Sequence, residues 1–179
     1  MSGKPFLIDA WTLRQRARRH IDESATTTGN SSDRETVLKL LNDSLATEMA
    51  YVQRCRRYHS VVKTNHASAS ADRFVAHTIE EHGHAGQIAE RIVQLGGAPE
   101  FSADELVTCR GGEDGEGRLL VELIKEDIVA ECLAMDTYRD VIGYLGNRDP
   151  ATRRMIEGIL AAEKKLAEEM ADLLECLPV

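Results

Sequence analysis

Four long stretches of this chain share one interruption in an otherwise apolar stripe. Residues at about 33–63, 70–95, 118–145 and 150–176 repeat apolar side chains at helical spacing, and near the middle of each the stripe is broken by a glutamate: Glu48, Glu81, Glu131 and Glu163. The first stripe is Leu38, Leu41, Leu45, Glu48, Val52, Cys55 and His59; the second is Phe74, His77, Glu81, His84, Ile88 and Leu95. The third is Leu120, Ile124, Asp127 or Ile128, Glu131, Met135, Tyr138 and Ile142; the fourth is Ile156, Leu160, Glu163, Leu166, Met170 and Leu173. Recurrence of this kind marks the buried face of a helix. Burying a carboxylate without a partner is costly, and four of them facing one another also repel, by several kcal/mol unless cations intervene. His84 follows Glu81 by three residues, about one turn, so both side chains lie on one face. A Glu-x-x-His step with carboxylates on neighbouring helices is how helical bundles hold metal ions.

Helix punctuation supports the same segmentation. Ser32 and Glu35 form an S-x-x-E capping box before the first stretch. Gly96-Gly97, with Pro99 beyond, stops the second, and Gly146-Asn147 stops the third. Asp149 as N-cap, with Pro150 at the first helical position, opens the fourth. The link TNHASAS is short enough to require antiparallel neighbours. Residues 98–117, containing PEF and GGEDGEG, form one long link. It can run the length of a helix of about 39 Å, so the third helix need not be antiparallel to the second. Upstream, residues 1–8 read as an extended arm, 9–22 as a short helix and ATTTGNSS as a linker. The expected organisation is an N-terminal arm and short helix over 1–32, then an all-α four-helix bundle over 33–179 without a β-sheet.

Composition narrows the setting. In 179 residues, only 4% are aromatic and four are proline, which suits helices. Apolar runs are too short to span a bilayer. FLIDAW gives way at once to Arg14, Arg16, Arg18 and Arg19, so no secretory leader is read, and a cytoplasmic protein is expected. Cys55, Cys109, Cys132 and Cys176 show neither zinc-type nor disulfide-framework spacing. A net charge of −8 opposes general nucleic-acid binding and favours cation traffic. The arginine run is either a nucleic-acid patch or, in closer accord with that charge, a solvated face or subunit contact.

On these residues the chain resembles the ferritin-like superfamily, and within it the bacterioferritins and Dps-like mini-ferritins. EEHGHAGQIAERIVQLGGAPEF is similar to the second bundle helix of bacterioferritins, AECLAMDTYRDVIGYL to the third, and MIEGILAAEKKLAEEM to the fourth. The resemblance covers residues 33 to 176. It implies a four-helix bundle with a long crossover between the second and third helices, a di-iron ferroxidase centre and a cage of many subunits. It also implies that Glu48, Glu81, His84, Glu131 and Glu163 are the iron ligands, with Glu81 and Glu131 bridging and Glu48 and Glu163 terminal.

The chain departs from its relatives in three places. The family repeats Glu-x-x-His in the fourth helix, but here Glu163 is followed by Lys164, Lys165 and Leu166, so one imidazole is missing. That implies an asymmetric site, one metal held well and the other weakly or not at all. Cys55 stands where bacterioferritins carry a tyrosine. His82 stands where they carry the methionine that holds haem; it is either a haem ligand or an exposed histidine. His77 and His59 either replace the missing ligand or are hydrogen-bonded core histidines. Cys109 and Cys132 resemble the thiol pair that some Dps-like proteins carry beside the metal site, or are two unpaired structural cysteines. The function implied is oxidation of Fe²⁺ by oxygen or peroxide and storage of Fe³⁺ in a homo-oligomer. The alternatives are a non-enzymatic, metal-degenerate cage and a DNA-protecting stress protein.

Overall fold

The computed structural model describes residues 4–25, 30–64, 68–101 and 116–177. Five helices follow in order: α1 Lys4–Ala25, α2 Asn30–Thr64, α3 Ser68–Gln94, α4 Glu116–Leu145 and α5 Pro150–Glu175. Among the described residues there is no strand. The four predicted bundle helices are present as α2 to α5. Two ends differ from expectation. Helix α1 begins at Lys4, so part of the expected arm is helical; Pro5 falls in the first turn, where its missing N–H has no intrahelical partner to lose. Helix α2 begins at Asn30, which places the S-x-x-E pair inside the helix, with Asp33 in the first turn against the positive end of the macrodipole.

The ends legible in sequence are built as their residues dictate. Asp149 caps α5, accepting from the Thr152 N–H at 3.0 Å, and Pro150 follows. Arg91 then clamps Asp149 at 3.0 Å. Helix α3 closes with Gly97 N–H donating to the Ile92 carbonyl at 2.9 Å and Gly96 at φ 73°, a left-handed conformation that a Cβ would strain.

Side-chain pairs fix the topology. Arg54 meets Asp127 and Tyr58 meets Glu126, while farther back along α2 Glu48 meets Tyr138, so α2 and α4 are antiparallel. Arg73 meets Glu169 and Arg91 meets Asp149, so α3 and α5 are antiparallel too. Helix α2 is also antiparallel to α3, since Arg34 donates to the Leu95 carbonyl at 2.8 Å and Glu48 faces His84. Helices α3 and α4 therefore run parallel, and the chain passes from one end of the bundle to the other between them. That is the expected crossover; residues 102–115, which include Cys109 and all but the last two residues of the GGEDGEG stretch, lie outside the described residues.

Helix α1 lies on α2 and α4, with Ala10 and Ala17 buried. Arg14 pairs with Asp136 at 2.8 Å and Arg18 with Asp140 at 2.9 Å, one turn apart on each helix; Arg16 and His20 both reach Asp43. These three arginines of the run fasten α1 to its own bundle.

The interior is layered. One apolar cluster holds Leu40, Leu41, Leu45, Ile88, Ile92, Leu145, Ile156 and Ile159. A second, toward the other end, holds Tyr58, Val62, Phe74, Leu120, Ile124 and Met170, with the Tyr58 and Phe74 rings edge to face at 5.4 Å. Between them lies a layer of buried polar side chains.

Candidate metal centre

All four mid-helix glutamates are fully buried, each from a different helix of the bundle. Glu48, Glu81, His84 and Glu163 converge: each offers a ligand atom, and these atoms lie within 4.8 Å of one another. The Nδ1 of His84 faces three carboxylates at once, at 2.8 Å from Glu163, 3.5 Å from Glu48 and 3.8 Å from Glu81. It makes no directed hydrogen bond to any of them, and neither oxygen of Glu81 or Glu163 has a hydrogen-bond partner. Glu48 accepts a hydrogen bond from the Tyr138 hydroxyl through one oxygen, leaving Oε2 turned to the cluster without a partner. Nitrogen and oxygen atoms that converge on a common point without hydrogen bonds among them suit a cation.

The electrostatics point the same way. Burial raises the Glu81 carboxyl far above its ordinary range, and the neighbouring Glu48 carboxylate raises it further. Burial and then Glu163 raise Glu48; burial and then Glu81 raise both Glu131 and Glu163. Burial works against charge on His84, but its carboxylate neighbours, Glu163 first, push its pKa up to about 12. Among the described residues, Glu48, Glu81, Asp127, Glu131 and Glu163 share this layer with three groups able to carry positive charge, Arg54, His77 and His84. Full ionisation of all eight would still leave two negative charges in a low-dielectric interior, which protons or metal ions must offset.

Glu131 stands beside this set and not in it. Its Oε1 lies 3.5 Å from Nη2 of Arg54, whose Nε donates to Asp127 at 2.9 Å. The Arg54 guanidinium also stacks over the Tyr51 ring, 3.9 Å from its centroid. Glu163 thus shares the point with Glu81, while Glu131, also expected among the ligands, faces the Arg54 guanidinium and lies close enough to Glu81 and Glu163 for both to raise its pKa beyond the effect of burial. Sequence reading passed over Arg54, which stands close to Arg56 and Arg57. Its place three residues after Tyr51 and four before Tyr58, both buried, was the available signal.

The remaining candidates are placed as follows. His82 is exposed on α3, Leu166 is buried, and Lys164 and Lys165 are exposed. His77 is buried a turn from Glu81, while His59 is half-buried. Cys132 and Cys176 are exposed and Cys55 is buried. No described helix is long and apolar enough to cross a membrane.

Residues 38–178 match the family model for the ferritin-like domain. A comparison with curated proteins gives no significant match. Among solved structures, a bacterioferritin of Rhodobacter capsulatus, described with a metal-free dinuclear site and haem iron, aligns with a TM-score of 0.69 at 22% identity over 83% of this chain and 87% of that one. A dodecameric thioferritin of Bacteroides fragilis, a bacterioferritin-related protein, gives 0.69 at 22% over 79% and 86%. A point variant of Mycobacterium smegmatis Dps1 gives 0.71 at 17% over 82% and 99%. At these identities the structural likeness speaks for the fold.

Proposed function

Because the chain belongs to the ferritin-like family, we propose that it binds ferrous iron as substrate at Glu48, Glu81, His84 and Glu163 and supports its oxidation. The observation that carries this reading is the convergence of four buried ligand side chains whose inward atoms lack hydrogen-bond partners. Three carboxylates favour Fe³⁺ as a hard ion, and one imidazole gives the ferrous ion a nitrogen ligand. Each Fe²⁺ gives one electron to oxygen or peroxide and leaves as Fe³⁺ for storage. Tyr138 holds the orientation of Glu48 from outside the cluster.

The second metal position of the family is compromised twice. Leu166 supplies no imidazole, and Arg54 brings a positive charge against Glu131. One ion per subunit is therefore expected at this centre. Leu166→His alone should add no bound iron, because Arg54 still repels a second cation. Arg54→Met combined with Leu166→His should add one ion per subunit in an anaerobic ferrous titration. A gain with Leu166→His alone would show that the guanidinium is no barrier.

The reading includes a homo-oligomer. Val75, Ile79 and Val93 lie exposed along one side of α3, Ile79 at 67%. Gly83 and Gly86 lie between them, and an added Cβ at either would meet nothing within 4 Å, which leaves a low surface for close approach of a second copy. Ile79→Glu should lower the native mass in solution while leaving the helical spectrum unchanged; an unaltered mass would place the contact elsewhere. The DNA-protecting alternative loses its main support, since Arg14, Arg16 and Arg18 are engaged with acids of the same chain.

A further inference from the structure

A second group of potential ligands sits in the same polar layer. The Cys55 thiol, a His77 ring nitrogen and an Asp127 carboxylate oxygen lie within 4.8 Å of one another, on three different helices, and all three residues are 0% exposed. His77 is the telling member. Neither of its ring nitrogens has a hydrogen-bond partner, and Nδ1 lies 3.7 Å from Asp127 Oδ2, which has none either. A histidine buried for packing alone would satisfy at least its N–H, because an unmet buried donor costs about 1–3 kcal/mol. Asp127 is already turned for two duties: Oδ1 accepts from Arg54 at 2.9 Å while Oδ2 faces His77.

The register explains how three helices arrive together. His77 precedes Glu81 by four residues and Asp127 precedes Glu131 by four, on helices that run parallel; Cys55 follows Glu48 by seven on the helix that opposes them. All three steps lead from the glutamate layer toward the same end of the bundle. The group therefore lies a turn or two farther along, by roughly 5–10 Å of helix rise. The Arg54 guanidinium touches Asp127 on one side and Glu131 on the other, so it stands between this group and the glutamate cluster.

We propose that Cys55, His77 and Asp127 form a separate site for a thiophilic divalent transition metal of the Zn²⁺ class. Thiolate, imidazole and carboxylate are the three donor types that zinc accepts, and three protein ligands leave a fourth position for water. Binding displaces the thiol proton to solvent, so the site changes net charge by one fewer than the charge of the ion. Arg54 keeps the two sites from sharing a bridging ligand. The proposal does not rest on iron chemistry at the glutamate centre.

Metal-free full-length protein, titrated anaerobically with Co²⁺, should develop a thiolate-to-cobalt charge-transfer band in the near ultraviolet that saturates at one ion per subunit and is abolished by Zn²⁺. Cys55→Ser should remove the band. His77→Gln should weaken Co²⁺ binding by roughly 100-fold or more, since even a change behind a metal ligand costs 10–100-fold. A Cys132→Ser, Cys176→Ser variant should keep the band. Glu81→Gln should keep it as well, which separates this site from the glutamate centre. Absence of the band in the unaltered protein overturns the proposal whether or not the variants fold. So does a band that survives Cys55→Ser, which would assign it to another thiol, or one lost with Glu81→Gln, which would make the two groups a single site.

Discussion

Replacing Arg54 with alanine should cost the metal-free protein about 3–5 kcal/mol, the loss usual when one partner of a buried ion pair is removed. Arg54 is 5% exposed and touches two fully buried carboxylates, Asp127 at 2.9 Å and Glu131 at 3.5 Å. Its removal leaves both without a cation and strips the Tyr51 ring of its stacked partner. Denaturant titration of apo protein measures the loss. Combining Arg54→Met with Asp127→Asn should recover a large part of it, since the stranded charge then goes with its partner. A loss below about 1 kcal/mol would mean that these carboxylates are held neutral and that the guanidinium does not stabilise them.

Glu81→Gln should move stability and metal binding in opposite directions. Glu81 is fully buried, neither oxygen accepts a hydrogen bond, and Glu48 lies close by. Its folded-state pKa is raised, so the native state holds the proton more tightly than the unfolded chain does. Its contribution is thus fully present below the unfolded carboxylate range and is lost as pH rises through the folded value. The glutamine variant escapes that loss. At neutral pH the metal-free variant should be more stable than the parent by about 1–3 kcal/mol, or roughly 2–10 °C in melting temperature. Below about pH 4, where the carboxyl is protonated in both states, the difference should shrink. Ferrous affinity at the glutamate centre should fall by roughly 100-fold or more, beyond what changes behind a ligand produce. A metal-free variant less stable than the parent at neutral pH would show that the Glu81 charge is structural and not an accommodation for a cation.

Most of the bundle could be read from the chain because its helices state their own boundaries. Asp149-Pro150 and Gly96-Gly97 are local signals with one structural solution each, and the apolar period assigns the inward face without reference to any other helix. The glutamates were legible as exceptions to that period. What the apolar period could not show was which side chains of different helices meet. The short link and the long crossover made the helix directions expected, but that His77, Asp127 and Cys55 lie together depends on the register between α2, α3 and α4, which only the assembled bundle decides. Arg54 was hidden for a different reason. A long cationic side chain beside two other arginines looks solvated, and its burial depends on two acids more than seventy residues away. Helix α1 begins earlier than expected, at Lys4, because Pro5 in a first turn costs nothing there.

The division of the core into two apolar clusters separated by a polar layer should reverse the usual distribution of local stability along a helix. Helices ordinarily fray from their ends, where hydrogen bonds are fewest. Here each end of the bundle is closed by well-packed side chains, while the central turns around Glu48, Glu81, Glu131 and Glu163 are held against mutual repulsion. In the metal-free state the waist of the molecule should therefore be the part most ready to open, and its central amides should exchange with solvent sooner than those of the apolar ends. If iron binds there as proposed, it would do more than fill a site: it would tie the central turns of α2, α3 and α5 to one another, so that cargo and rigidity would be gained in the same event.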